Sequence, residues 1–267
     1  MTSQFEEMLT ARFAAGAHLC VGLDPKPSDV EGLTPTGIKI WLMNIVKATA
    51  PYAAAYKPNL QFYLRWGWRG VKILEELNDW MGHNFGEIPR ILDAKWGDIG
   101  DTNLGSLDFA MSLDVQAVTI HNYMGVEAMD PLLRKFYCFV LCKTSNSGSG
   151  EFQDLELRGG ENWRTTPLYR AVAKHVETTW NGDIDPGAGL VVGATHPRQL
   201  AEIDQAVKGL VFLIPGVGKQ GGSVEAAVRA VQQNTALINV SSGITSAPDP
   251  AKAAEGFNEQ IREALAT

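Results

Sequence analysis

Cysteine is scarce in this chain. The 267 residues hold three, Cys20, Cys138 and Cys142. All three stand in apolar runs (17–23 and 136–142), where a thiol behaves as a small buried hydrophobe. No metal-ligand spacing links them, so inert thiols in a reducing, cytoplasmic setting are the default expectation. Long hydrophobic runs are also missing: no apolar stretch reaches membrane-spanning length. The first seven residues, with two glutamates, lack a signal-peptide core. Positive charge is short as well. Lys and Arg number 23 against 30 Asp and Glu, a formal net charge of −7, which argues against a nucleic-acid partner while leaving local basic sites open. No internal repeat, low-complexity tract or linker divides the chain. What remains is 45% hydrophobic and 20% charged, ample material for one large domain or two small ones.

Short apolar runs alternate with amphipathic stretches. Strands are expected at 18–24, 52–57, 89–95, 117–121, 136–144, 190–194, 210–214 and 237–240, several of them near-continuous hydrophobics as in strands buried on both faces. Helical patterns lie between them at 37–49, 59–81, 103–113, 125–135, 166–180, 197–207, 224–233 and 250–266. Eight such units match a single (β/α)8 barrel over residues 1–267; a doubly wound open sheet is the runner-up. Within residues 1–16, the segment 5–13 fits a short amphipathic helix capping the barrel bottom. Trp66 and Trp68 fall two apart on one expected helix, so one is expected exposed, and Trp163 and Trp180 are expected to pack on helices. The stretch 145–164, with its Ser-Asn-Ser-Gly-Ser-Gly composition, reads as a mobile loop.

Polar clusters fall at the C-terminal ends of these strands: Asp24, Lys57-Pro58-Asn59, Asp93 with Lys95, His121-Asn122, Lys143 to Asn146, Thr195-His196, residues 216–222, and Ser241-Ser242-Gly243. In a parallel barrel those ends form one mouth, where active sites lie. The densest segment is Ile91-Leu92-Asp93-Ala94-Lys95-Trp96-Gly97-Asp98, followed by Thr102 and Asn103. Asp93 and Lys95 are two apart and share a strand face. A lysine among carboxylates keeps its ammonium, and a negative group arriving beside a buried aspartate is repelled. Such a site suits chemistry in which negative charge leaves and a proton arrives. Taken alone, Asp93, Lys95 and Asp98 also fit a structural ion-pair cluster, Asp24 before Pro25 a turn, and residues 216–222 an ordinary strand-to-helix turn. His121 and His196 read equally as structural hydrogen bonders and as ligands.

The segments Val21-Gly22-Leu23-Asp24-Pro25, Tyr56-Lys57-Pro58-Asn59, Asp93-Ala94-Lys95 with Asp98-Ile99 and Thr102-Asn103, Thr144-Ser145-Asn146, and Pro215 to Gly222 occur in this order at strand ends. Together they resemble the orotidine 5′-monophosphate decarboxylase family in its longer bacterial form, from about residue 20 to 244. The resemblance implies a (β/α)8 barrel and cofactor-independent, metal-free decarboxylation of orotidine monophosphate to UMP in pyrimidine biosynthesis. It implies that Lys57, Asp93, Lys95 and Asp98 form a charged catalytic network in which Lys95 protonates a C6 carbanion and Lys57 orients Asp93. Asp24 and Lys57 would hold the ribose, Ser145 the pyrimidine edge, and Gln220 both phosphate and base. Asn59, Gly218, Lys219, Gly221, Ser242 and Gly243 would line the nucleotide. Asp98, with Thr102 beside it, would reach the neighbouring subunit's site, which makes the working unit a homodimer.

Two positions depart from that pattern. Trp96 stands where longer bacterial forms usually have Arg. Ser242 stands where the family usually places the Arg that grips the phosphate, and loss of such a charge-assisted bond costs roughly 1.5–3 kcal/mol. Lys219 in the neighbouring glycine-rich loop is the expected substitute cation, with less geometric grip than Arg. Two competing readings follow. One is a related barrel enzyme, a sugar-phosphate decarboxylase or synthase that shares Asp-x-Lys-x-x-Asp and uses magnesium. The other is a non-catalytic or engineered relative with a weakened phosphate site.

Overall fold

The computed structural model describes residues 3–158, 165–181, 187–218 and 221–266. Eight strands form one parallel sheet: β1 (Leu19–Gly22), β2 (Ala53–Lys57), β3 (Ile91–Trp96), β4 (Ala117–Ile120), β5 (Tyr137–Lys143), β6 (Ala188–Val192), β7 (Val211–Ile214) and β8 (Thr235–Val240). Their order is β2-β1-β8-β7-β6-β5-β4-β3. The sheet's two ends meet through single bridges, Tyr56 to Arg90 and Asn59 to Asp93. Across this seam the Tyr56 amide donates to the Pro89 carbonyl and the Asp93 amide to the Pro58 carbonyl, both at 3.0 Å. The result is a nearly closed barrel with helices between its strands, and the open-sheet alternative is set aside. Pro58 has no amide hydrogen to donate, but its carbonyl still accepts from Asp93, so the seam stays joined where the polar residues begin.

Burial falls into two layers. Residues facing the helices, such as Leu19, Val21, Val118, Val140 and Ile238, form the larger core. Inward residues, among them Cys20, Ala55, Ile91, Phe139, Val191 and Leu213, fill the barrel. The first helix, Gln4–Ala14, closes the bottom. Ser3 caps it by accepting from the Glu6 amide while the Glu6 side chain accepts from the Ser3 amide, the reciprocal arrangement that fixes a helix start. Its Phe5 stacks on Tyr137 at 5.0 Å and meets Phe139 edge-on at 5.5 Å. Full burial of Phe5 and Leu9 contributes on the order of 2 kcal/mol each.

Three expectations change. The helix expected over 59–81 is two, Leu60–Leu64 and Trp68–Asn84. Gly67 separates them with φ of +57°, a conformation glycine adopts without a Cβ penalty. Trp68 is accordingly 67% exposed while Trp66 packs on the core. The stretch expected as an irregular loop carries a 3-10 turn at Ser147–Ser149, a helical turn at Gly150–Gln153 and a ribbon pairing Glu156–Arg158 with Thr165–Pro167. The sixth strand begins and ends two residues earlier than expected, which frees Gly193 to His196 for the mouth. Trp180 is buried as expected, and Trp163 lies outside the described residues.

Candidate active site

The seam between β2 and β3 carries the charged residues. Lys57 ends β2, and Asp93 sits within β3. One oxygen of Asp93 accepts from Lys57 Nζ at 2.9 Å and from Asn59 Nδ2 at 3.2 Å. The other accepts from Lys95 Nζ at 2.5 Å and Thr119 Oγ1 at 2.8 Å. The two lysines differ in setting: the Lys57 side chain is 4% exposed and that of Lys95 is 45% exposed. Burial alone pushes the Asp93 carboxyl up, but Lys57, and then Lys95, reverse this and hold it well below the usual carboxylate range. Burial pulls Lys57 down, yet Asp93 and then Asp24 lift it above an ordinary lysine. Both groups therefore stay ionised at neutral pH.

Lys95 reaches Asp93 by an irregular route. Its φ is +53°, and the β3–β4 register shifts between Leu92 and Trp96. The Lys95 amide leaves the ladder and donates to Thr119 Oγ1 at 2.9 Å. A non-glycine residue in this region costs of order 1–3 kcal/mol and persists where surrounding bonds impose it. Thr119 imposes it here, bonding both the backbone of Lys95 and the carboxylate that Lys95 meets.

Above this network opens a cavity of about 560 Å³. Asp24, Lys57, Asn59, Asp93, Lys95, Ser145 and Ser242 all line it, with Thr119, Thr144, Asn146, Gln153, Gly216, Val217, Asn239 and Ser241. Asp24 accepts the Asn59 amide at 3.1 Å and the Ser241 hydroxyl at 2.5 Å. Gly218, Gly221 and Gly243 stand outside the lining. Gly216, Gly218 and Gly221 have φ of +98°, +81° and +90°. They fold their loop back on itself, the Gly218 amide donating to the Gly222 carbonyl at 3.1 Å. Lys219 and Gln220, expected on the phosphate, lie outside the described residues.

Asp98 and Thr102 do not join the cavity of their own chain. Asp98 is exposed, its carboxylate accepting the Ile99 amide at 2.7 Å, and Thr102 is exposed on the helix Gly100–Ser112. Trp96 packs edge-on to Phe109 of that helix, 6.3 Å between ring centres. His196 meets the Ser149 hydroxyl at 3.3 Å, and the His121 ring accepts the Tyr123 amide at 3.3 Å. Both histidines hold loops. The three thiols are buried and free, and burial pushes Cys20 up to about 12.

Thr119, Gln153 and Lys26 were not singled out from sequence, and Ser241 was named only as part of a strand-end polar cluster. Thr119 had a signal: it is the one polar residue of β4, Ala-Val-Thr-Ile, next to a strand carrying charges.

The description "Orotidine 5′-phosphate decarboxylase / HUMPS family" matches residues 17–257. The chain belongs to this family. It is 40% identical over 273 residues to the orotidine 5′-phosphate decarboxylase of Roseiflexus castenholzii, covering 98% of this chain and 96% of that one. The Leishmania donovani OMP decarboxylase structure superposes with a TM-score of 0.86 at 37% identity, covering all of both chains. Leishmania donovani UMP synthase superposes at 0.87 and 38% identity, this chain spanning 57% of that longer one. What family membership brings to the cavity is the chemistry of an enzyme, a carboxy-lyase.

Proposed function

We propose that this chain converts orotidine 5′-monophosphate to UMP and carbon dioxide in pyrimidine biosynthesis, using its own side chains alone. The observation that carries the reading is Asp93 held between Lys57 and Lys95 on the cavity floor. Breaking the bond from C6 to the carboxylate leaves an electron pair in an in-plane orbital with no ring sink. An ammonium already fixed at that carbon stabilises the charge as it develops and needs no reorganisation. Lys95 is that ammonium, and it then delivers the proton to C6. Lys57 and Thr119 hold the Asp93 carboxylate in place. Asp93 crowds the substrate carboxylate, and binding of the distant phosphate offsets that unfavourable contact. Asp24 and Lys57 take the ribose hydroxyls, Asn59 supports Asp93, and Ser145 reads the pyrimidine edge. Gln220 and the loop of Gly218, Lys219 and Gly221 take the phosphate, together with Ser242 and Gly243.

In this reading the enzyme works as a homodimer in which Asp98 and Thr102 complete the partner's site. Supporting this, both stand outside their own cavity. Ile99 and Leu104 beside them are 54% and 47% exposed, apolar surface suited to a second copy. No described helix is long and apolar enough to cross a membrane, in keeping with the cytoplasmic setting proposed from the cysteines.

The sugar-phosphate alternative needs magnesium. Asp93 already accepts four donors, two of them ammoniums, which leaves little charge for a divalent ion. The deciding experiment follows loss of orotidine monophosphate absorbance with and without EDTA. Turnover that survives EDTA and disappears in Lys95→Ala, with UMP binding retained, supports the reading. Turnover lost to EDTA and restored by magnesium overturns it.

A further inference from the structure

We infer that Lys26 is a cation that meets the substrate's phosphomonoester, joining the loop of Lys219 in place of the arginine absent at Ser242. The inference rests on the nucleotide reading above and adds a specificity residue to it. Three described cations line the cavity: Lys26, Lys57 and Lys95. Lys57 and Lys95 are both bonded to Asp93. Lys26 pairs with no carboxylate among the described residues and is half-buried. Among the described lining residues it is the positive charge left available to an anion.

Its position is fixed on the correct side. Lys26 lies in the loop after β1, and β1 pairs with β8. That loop is tied to the turn after β8 on both sides of Lys26. Upstream, the Ser241 hydroxyl donates to Asp24 at 2.5 Å. Downstream, the Ser246 hydroxyl donates to Asp29 at 2.9 Å. Between the ties the loop is stiffened by Pro25 and Pro27, whose rings fix φ, and by the 3-10 turn Pro27–Asp29. Lys26 thereby belongs to a loop tied to the turn that contains Ser242, and both residues line the cavity. A flexible ammonium there supplies point charge without the bidentate fit of a guanidinium.

The test compares UMP with uridine, which differ by the phosphate alone, binding to the intact chain and to Lys26→Ala and Lys26→Arg. Titration calorimetry should show UMP weakened on the order of tenfold or more in Lys26→Ala, uridine unchanged, and UMP affinity largely restored in Lys26→Arg. The kcat/KM for orotidine monophosphate should fall in parallel, carried by KM. Unchanged UMP affinity in Lys26→Ala overturns the inference. So does an equal loss for UMP and uridine, which marks a structural role. An intact chain that binds UMP and fails to turn over orotidine monophosphate refutes the proposed activity, and the UMP-to-uridine ratio still decides the role of Lys26.

Discussion

Lys57 and Lys95 hold the same carboxylate, yet removing them should have very unequal consequences for stability. Lys57→Met keeps the apolar stem and deletes the ammonium. Asp93, 9% exposed, then keeps Lys95, Thr119 and Asn59 but loses its one fully buried counter-charge. Breaking a buried pair from one side costs about 3–5 kcal/mol. With three donors remaining, about 3 kcal/mol is the expectation, or roughly 6–12 °C in Tm for a chain of this size. Lys95→Gly removes an ammonium that is 45% exposed, where an ion pair contributes about 0–1 kcal/mol. It also relieves the +53° backbone, which favours glycine by about 1 kcal/mol. Lys95→Gly should therefore unfold within about 1 kcal/mol of the parent chain, although both variants lose turnover. Urea unfolding followed by tryptophan fluorescence, with the double variant Lys57→Met/Asp93→Asn as control, measures this directly. The double variant should recover part of the loss, because no unpaired charge is left buried. Equal urea midpoints for Lys57→Met and the parent would refute the argument from burial. A loss in Lys95→Gly as large as in Lys57→Met would refute the argument from strain.

Other outcomes follow from the same geometry. Inactive Lys95→Ala and inactive Asp98→Ala chains, mixed under verified subunit exchange, should regain activity, since one of the two sites in a heterodimer is then intact; no recovery removes Asp98 from a shared site. Ser242→Arg should lower KM for orotidine monophosphate tenfold or more, because about 1.4 kcal/mol is a factor of ten and a bidentate phosphate contact exceeds that; an unchanged or lower kcat/KM counts against a phosphate gap. Asp93 titrates below its unfolded value of about 3.9, so its contribution to stability is present above about pH 4 and lost as pH falls further. Asp93→Asn should flatten the acid limb of urea midpoints between about pH 2 and 5, and an unchanged limb would place acid sensitivity elsewhere.

Much of this barrel was legible because parallel strands buried on both faces read as separate apolar runs, each ending in polar residues. Asp93 and Lys95 were legible as neighbours on one face, though they meet through a bulge and a left-handed lysine that alternation does not foresee. Thr119 was missed, and the role of Ser241 was not foreseen, because lone hydroxyls carry little signal until the carboxylates they bond are placed in space. The segment after β5 was misread for a related reason. Its composition is that of a loose loop, but Lys143 bonds Asp154 at 2.6 Å and Gln153 accepts the Thr144 amide at 2.9 Å. Those anchors lie nine to eleven residues apart and override local preference. Gly67 broke a helix whose apolar spacing continues across it.

The aromatic plug under the barrel has a bearing on traffic. Phe5, Tyr137 and Phe139 seal the end opposite the charged mouth, so the cavity is a blind alley. Whatever enters past Ser145 and Ser242 leaves by the same doorway. If one molecule yields a small apolar gas and a bulky anion here, the two departures share a single exit.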